Sequence, residues 1–262
     1  MNDVNKIITN YYENKYNEDE RFTIDKSHSV EYITTKKYIE KYLKPGDRIL
    51  EVGAGTGAYS IYYADKGYKV DAVELCSNNL DILKDKITKD MDIKAIQGNA
   101  LDLSVYKDNT FDVTLVLGPL YHLFNEETKQ KAIEEAVRVT KKNGFIYISY
   151  ITSDSIMISY FLRKNKLFQT KEKCDENYKV IDIPEEVFNA FYIDEFNNLM
   201  SNYNIEHITD VATDGVSRLF DEYINKLNDE EFEIWVDYHL KNCERKELQG
   251  YCNHMLYIGK KQ

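Results

Sequence analysis

The stretch Glu51-Val52-Gly53-Ala54-Gly55-Thr56-Gly57 most limits what this chain can fold into. It follows a short apolar strand pattern, Arg48 to Gly53, introduced by the turn Lys44-Pro45-Gly46-Asp47. A helical pattern runs after it from about Ala58 to Lys66 and stops at Gly67. Glycines between a strand and a helix let the backbone turn at positive φ and pass close to a ligand. The first N–H groups of the helix then face that ligand with a positive dipole end. Strand–loop–helix units of this kind assemble into parallel sheets.

More units follow. Tyr68 to Leu75 predicts a second strand, and Ser77 an N-cap for a helix through Ile87. Ile93 to Gln97 and Phe111 to Leu117 predict the third and fourth strands. Glu126 to Lys141 places Ala132, Ile133, Ala136, Val137 and Val139 at helical spacing and stops at Asn143-Gly144. Phe145 to Ile151 reads as the fifth strand, Ile205 to Val211 as the sixth and His254 to Gly259 as the seventh. Asp194 to Met200 predicts a helix, and Val216 to Cys243 a longer one with Phe232, Trp235, Val236 and His239 on one packing face. Thr152 to Ile193 is rich in aromatics and reads as an insertion. The expectation for these 262 residues is one α/β domain, a Rossmann-like, seven-stranded, mostly parallel doubly wound sheet. Residues 1–35 form a helical cap, 36–151 the ligand-binding core, 152–192 and 213–250 helical and aromatic lid insertions, and 193–212 and 251–262 the end of the sheet.

Composition removes several function classes. Net charge is −11 and the lysines are scattered among acids. A nucleic-acid substrate is disfavoured, because such binding draws on a basic face. The sequence contains no apolar run of the roughly 18 residues that a membrane span requires. Met1 to Arg21 is polar and acidic, unlike a secretory signal, so the expected location is the cytoplasm. Cys76, Cys174, Cys243 and Cys252 are far apart; they read as reduced structural thiols. Cys252-Asn253-His254 supplies too few ligands for zinc, and no metal is expected.

Glu74 ends the second strand about 20 residues after Gly53, the place of a ribose-binding acid in sheets of this kind. Glycines and acid together indicate a nucleoside-bearing ligand. Gly53-x-Gly55-x-x-Ala58 also satisfies the dinucleotide fingerprint. Three features oppose that reading. Glu51 stands inside the first strand, where the dinucleotide pattern favours an apolar residue. Nicotinamide cofactors carry no ammonium for such an acid to meet, whereas S-adenosylmethionine does. The loop also begins near residue 50, after a long aromatic segment, whereas many dinucleotide folds begin with it.

Ile49 to Ser60 (ILEVGAGTGAYS) resembles the first motif of class I S-adenosylmethionine-dependent methyltransferases. Val70 to Leu75, Gln97 to Ala100 and Phe111 to Leu117 follow in the family's order, so the resemblance covers Thr35 to Ile151. The N-terminal segment and Gly118-Pro119-Leu120-Tyr121-His122-Leu123 resemble bacterial members acting on small molecules. The resemblance implies S-adenosylmethionine as cofactor and S-adenosylhomocysteine as product. It implies that the Glu51 to Gly57 loop, with Gly53, Ala54 and Gly55, holds the methionine part. Glu74 would bind the ribose, Leu75 would flank the adenine, and Leu117 and Gly118 would face the methionine and methyl group. Asn99, followed by Ala100, stands where the family carries an acid for the adenine amino group; an asparagine oxygen still accepts that bond.

Methyl transfer from a sulfonium works by positioning and desolvation and needs no dedicated base. Tyr121 and His122 lie beyond the fourth strand, where an acceptor would sit. His122 reads either as a general base or as a residue fixing the loop, and Tyr121 as an acid or a pocket wall. Tyr11, Tyr12, Tyr32 and Thr35 form either a flap over the cofactor or a helix packed on the sheet. The leading reading is methyl transfer to a small molecule by in-line displacement. A nicotinamide oxidoreductase, with Tyr160/Lys164 as its catalytic pair, and a non-catalytic cofactor-binding module are the alternatives. Sequence leaves the oligomeric state open.

Overall fold

Each strand of the glycine-loop units is a short apolar run of the kind that parallel sheets bury on both faces. The computed structural model describes residues 3–14, 16–181 and 188–262. Three residues of the expected cap, Met1, Asn2 and Lys15, and six residues of the expected aromatic insertion lie outside the described residues. The seven strands are β1 (Arg48–Val52), β2 (Lys69–Glu74), β3 (Ile93–Gln97), β4 (Phe111–Val116), β5 (Thr140–Ile151), β6 (Ile205–Ala212) and β7 (His254–Lys261). They form one sheet in the order β3-β2-β1-β4-β5-β7-β6. β1 pairs in parallel with β2 and β4, so that Ile49 lies beside Val70 and Val113. β7 alone is antiparallel to its neighbours, with Tyr257 opposite Ile148 on β5 and Asp210 on β6.

Helices cover both faces. α1 (Asp3–Asn14) and α2 (Lys26–Tyr42) belong to the N-terminal segment, and Asp25 caps α2 by accepting from the His28 N–H. α3 (Ala58–Asp65), α4 (Ser77–Asp85) and α5 (Glu126–Val139) connect the parallel strands. One apolar core runs from Ile39 on α2 through Leu50, Val113 and Ile148 to Ile258. α5 buries Ala132, Ile133, Ala136 and Val139 against it, the face that its spacing predicts.

The region after β5 is broken into short pieces. α6 (Ser153–Ile156) runs into a π-helical turn at Met157–Leu162, and α7 (Thr170–Lys173) follows a 3-10 turn. α8 (Ile193–Met200) leads into β6. Among the insertion's aromatics, Phe161 is buried with Tyr121, Ile151 and Val180, whereas Phe168 and Tyr178 are exposed. The insertion is thus part core and part surface.

Three boundaries differ from expectation. The single helix predicted over Val216 to Cys243 is two, α9 (Asp221–Ile224) and α10 (Asp229–Asn242). Asn228 and Glu231 cap α10 reciprocally, and this box restarts the helix. α5 ends at Val139 rather than Lys141, because β5 begins at Thr140. Asn143 at φ 64° and Gly144, packed on the Asp112 carbonyl, accommodate a shift in the β4–β5 register. Ser77 is the first helical residue rather than the cap of α4; Cys76 takes the cap position without a side-chain bond. The expected packing stripe on α10 is part-buried: His239 is enclosed, and Trp235 donates to Ser217 Oγ at 3.0 Å.

Candidate functional site

At the carboxyl ends of β1 and β4 the sheet order reverses, and ligands of doubly wound sheets bind in that crevice. Gly53, Gly55 and Gly57 hold φ of 75°, 55° and 87°. A Cβ on Gly53 would lie 2.8 Å from Pro119, so only glycine lets the 119–122 turn close on the loop. Gly57 caps α3, and a Cβ there would press on Leu83. Gly53 and Ala54 donate to the Val73 carbonyl at 2.8 and 3.1 Å, which pins the loop to β2.

The cleft so formed is lined by Gly53, Ala54 and Gly55 from the loop, Glu74 and Leu75 from the end of β2, and Asn99 and Ala100 after β3. Leu117, Gly118, Tyr121 and His122 close it beyond β4. Glu74 is buried and uses both oxygens, accepting from Gly55 N at 2.7 Å and Cys76 N at 2.8 Å. Burial pushes its pKa up, and those two backbone bonds oppose the shift. Asn99 Oδ1 accepts from Leu101 N at 3.0 Å, which fixes the turn it belongs to.

Glu51 and Gly57 are the predicted residues set apart from the cleft wall. The Glu51 carboxylate is buried behind the loop and accepts from the Ser60 hydroxyl. Desolvation there raises its pKa to about 8.

The N-terminal segment closes over this cleft. Tyr32 donates to the Ala58 carbonyl at 3.1 Å, and Phe22, Tyr32 and Tyr59 pack ring on ring. Tyr12 lines the cleft and its hydroxyl lies 2.8 Å from His122 Nε2. Thr35 also lines it. Tyr121 is buried; its hydroxyl donates to the Leu117 carbonyl at 3.1 Å and accepts from Arg21 at 3.3 Å. Burial raises the Tyr121 pKa.

A second cavity, of about 450 Å³, adjoins the first. Tyr12, Glu18, Arg21 and Tyr121 line both. Its other walls are Tyr11 and Tyr16 from the cap, Tyr160, Phe161 and Phe188 from the insertion, and His254 from β7. Tyr160 accepts from Lys166 at 2.9 Å while Lys164 Nζ sits 5.5 Å over its ring, so the predicted Tyr160/Lys164 pair lies in this wall.

Four residues here carry no local motif. Arg21 donates to Glu31 at 2.7 Å, and its Nη2 is 3.4 Å from His254 Nε2. His254 Nδ1 stands 3.3 Å from both Glu31 and Asp214. Carboxylates and imidazole approach as closely as metal ligands do, and the Arg21 guanidinium bonds into the same group. Asp214 also accepts from Cys252 Sγ and Asn253 N, at 2.9 and 3.0 Å. Burial opposes its charge, yet the His254 bond holds its pKa below the ordinary value. The position of His254 at the head of the last strand was the sequence sign of this cluster; Arg21, beside Glu18-Asp19-Glu20, carried none.

The donor set fits S-adenosylmethionine: a glycine cradle, a paired acid at the ribose position, and a cleft bounded by both carboxyl-end loops. A model of the methyltransferase domain family matches residues 50–148. Demethylmenaquinone methyltransferase of Renibacterium salmoninarum is 40% identical over 106 residues, 40% of this chain and 41% of that protein. Its namesake from Paenarthrobacter aurescens is 37% identical over 107 residues, 41% of this chain and 40% of that protein. The chain thus spans about two-fifths of the length of these relatives. An S-adenosylmethionine-dependent methyltransferase of Thermotoga maritima, described as a possible histamine N-methyltransferase, shares the fold. Its TM-score is 0.60 at 18% identity, over 99% of this chain and 100% of that one. Over residues 50–148 the chain thus carries a match to the methyltransferase domain family, on a fold shared with S-adenosylmethionine-dependent methyltransferases.

Proposed function

We propose that the protein transfers a methyl group from S-adenosylmethionine to a small-molecule acceptor held in the second cavity. The observation that carries this reading is the shared wall: Tyr12, Glu18, Arg21 and Tyr121 each border both spaces. Where two spaces meet at the same residues, an acceptor in one can reach the methyl of a cofactor in the other for in-line displacement, where alignment supplies most of the rate. Bound S-adenosylmethionine supplies an electrophilic methyl on a sulfonium. Glu74 receives the ribose hydroxyls, Asn99 the adenine edge, and the Leu117-Gly118 backbone borders the reacting end. Tyr12 and Tyr121 present aromatic walls, which favour a sulfonium cation and exclude water. We read His122 as positioning Tyr12 through their 2.8 Å contact, rather than as the base, since it borders the cofactor cleft and not the acceptor cavity.

The relatives' acceptors do not carry over. The matched stretch ends at residue 148, and the insertion that walls the acceptor cavity begins after it. Aromatic walls around about 450 Å³ suit a compact, partly apolar acceptor. Among the described residues, no helix is long and apolar enough to cross a membrane.

Thermal-shift titration with S-adenosylmethionine, S-adenosylhomocysteine, NAD and NADP tests the reading. A ligand at 100 times its Kd adds about 2.7 kcal/mol, an easily visible rise in Tm. Stabilisation by the two S-adenosyl compounds alone is expected; stabilisation by the dinucleotides alone would transfer the cleft to the oxidoreductase reading. Methyl transfer from labelled S-adenosylmethionine to a panel of small acceptors then separates an enzyme from a cofactor-holding module.

A further inference from the structure

The cap sends one charged side chain into the cofactor cleft whose bonding is incomplete. Glu18 begins the 3-10 turn Glu18–Glu20, and its Cγ lies 3.1 Å from where a Cβ on Gly55 would stand. It therefore rests directly on the glycine loop. Oε1 is 3.5 Å from Arg21 Nη1. Oε2 is buried and has no hydrogen-bond partner among the described residues. A buried acceptor left without a donor costs the fold its desolvation, and a charged one more. Burial raises the Glu18 pKa, with Arg21 pulling against it. A cation arriving at this oxygen would relieve both penalties.

The loop offers a cation no free carboxylate of its own. The N–H groups at the start of α3 present donors and a positive dipole end, which suit anions, while those of Gly53, Ala54 and Gly55 are spent on Val73 and Glu74. Glu51, the loop's own acid, is turned away onto Ser60. Glu18 and Arg21 stand side by side as one pure acceptor and one pure donor. The α-amino acid end of S-adenosylmethionine is the complement: an ammonium with three donors and a carboxylate, both on one carbon.

We propose that Glu18 accepts from the α-ammonium of the cofactor's methionine end, with Arg21 beside it meeting the carboxylate. The acid that recognises the amino group comes from the cap, not from the first strand. This rests on the reading of the cleft as the S-adenosylmethionine site. It also gives the cap a reason to close. The amino-acid end bridges loop and cap, and Tyr12, Glu18 and Arg21 then complete the wall of the acceptor cavity.

The test compares S-adenosylhomocysteine with its deamino analogue, which keeps the carboxylate and lacks the ammonium, by isothermal titration calorimetry. Wild-type protein should prefer S-adenosylhomocysteine by about tenfold or more, the worth of one charge-assisted bond in a buried site. Glu18→Gln keeps the shape and removes the charge, and should reduce that preference to within about twofold. Glu51→Gln should leave the preference in place. Hydrogen exchange on the wild type gives a second readout: S-adenosylhomocysteine should slow exchange over residues 16–21 more than the deamino analogue does. Equal binding of the two ligands by wild type, a preference that survives in Glu18→Gln, or one abolished by Glu51→Gln overturns the proposal while leaving the cofactor reading standing. If the wild type binds neither compound, the cofactor reading falls and this proposal with it.

Discussion

Glu74 accepts a 2.7 Å hydrogen bond from the backbone N–H of Gly55, 19 residues earlier in the chain. Its second oxygen takes the Cys76 N–H, so one buried carboxylate ties the glycine loop to the end of β2. The residue proposed to receive a ribose is therefore also part of the frame that shapes the loop.

Glu74→Ala should accordingly lose on two measurements. It leaves the Gly55 and Cys76 N–H groups unpaired, a cost of about 1–3 kcal/mol in urea unfolding. Stabilisation by S-adenosylhomocysteine should vanish from the thermal-shift assay. Retention of full ligand stabilisation would remove Glu74 from the cofactor site.

Gly53→Ala tests how tightly loop and turn are fitted. The new methyl would meet Pro119 at 2.8 Å in a backbone held at φ 75°. A loss of about 1–3 kcal/mol is expected from the backbone conformation alone. Because the displaced partner leads into Tyr121 and His122, methyl transfer should fall further than stability does. Wild-type stability in this variant would mean the loop yields at little cost.

Stability should depend on pH through Glu51. Its pKa is about 8 in the folded protein against 4.5 as the ordinary value, with burial as the main cause. Below 4.5 both folded and unfolded chains hold the proton, and the group costs nothing. As pH rises toward 8 the unfolded chain releases it first, so folded stability declines across that window. Glu51→Gln should flatten this part of the Tm-against-pH curve, measured by calorimetry from pH 5 to 8. An unchanged slope would place the Glu51 pKa near its ordinary value.

Tyr121→Phe removes the donor to the Leu117 carbonyl and the acceptor for Arg21. About 1 kcal/mol of stability should go with it. S-adenosylhomocysteine affinity should change little, while kcat/KM for methyl transfer falls severalfold through misplacement of the side chains where the two cavities meet. A large loss of cofactor affinity with intact turnover would assign the hydroxyl to the cofactor side instead.

The parallel half of the fold was readable because its signals are local. Glycines, the acid at the end of β2 and apolar runs bounded by turns fix β1 to β4 within a residue or two at each end. The cleft residues Gly53 to Gly55, Glu74, Leu75, Asn99, Ala100, Leu117 and Gly118 all line one space for the same reason. Glu51 lies outside it because strand alternation turns that side chain to the face covered by Ser60 on α3. The Arg21–Glu31–Asp214–His254 cluster gathers residues more than 200 positions apart, and no periodicity marks such a meeting. The break before α10 was legible in principle: Asn228-Asp229-Glu230-Glu231 is a capping sequence, overridden by the longer helical pattern around it.

β7 is bonded on both sides, by β5 and by β6, although it follows both in sequence. Until residues 254–261 arrive, β5 carries an open edge and β6 has no neighbour at all. Completion of the sheet therefore waits on this one strand, and the contacts that close it span long sequence separations, which slows folding. A chain cut short before His254 would expose two hydrophobic strand edges, the form in which proteins most readily associate with one another.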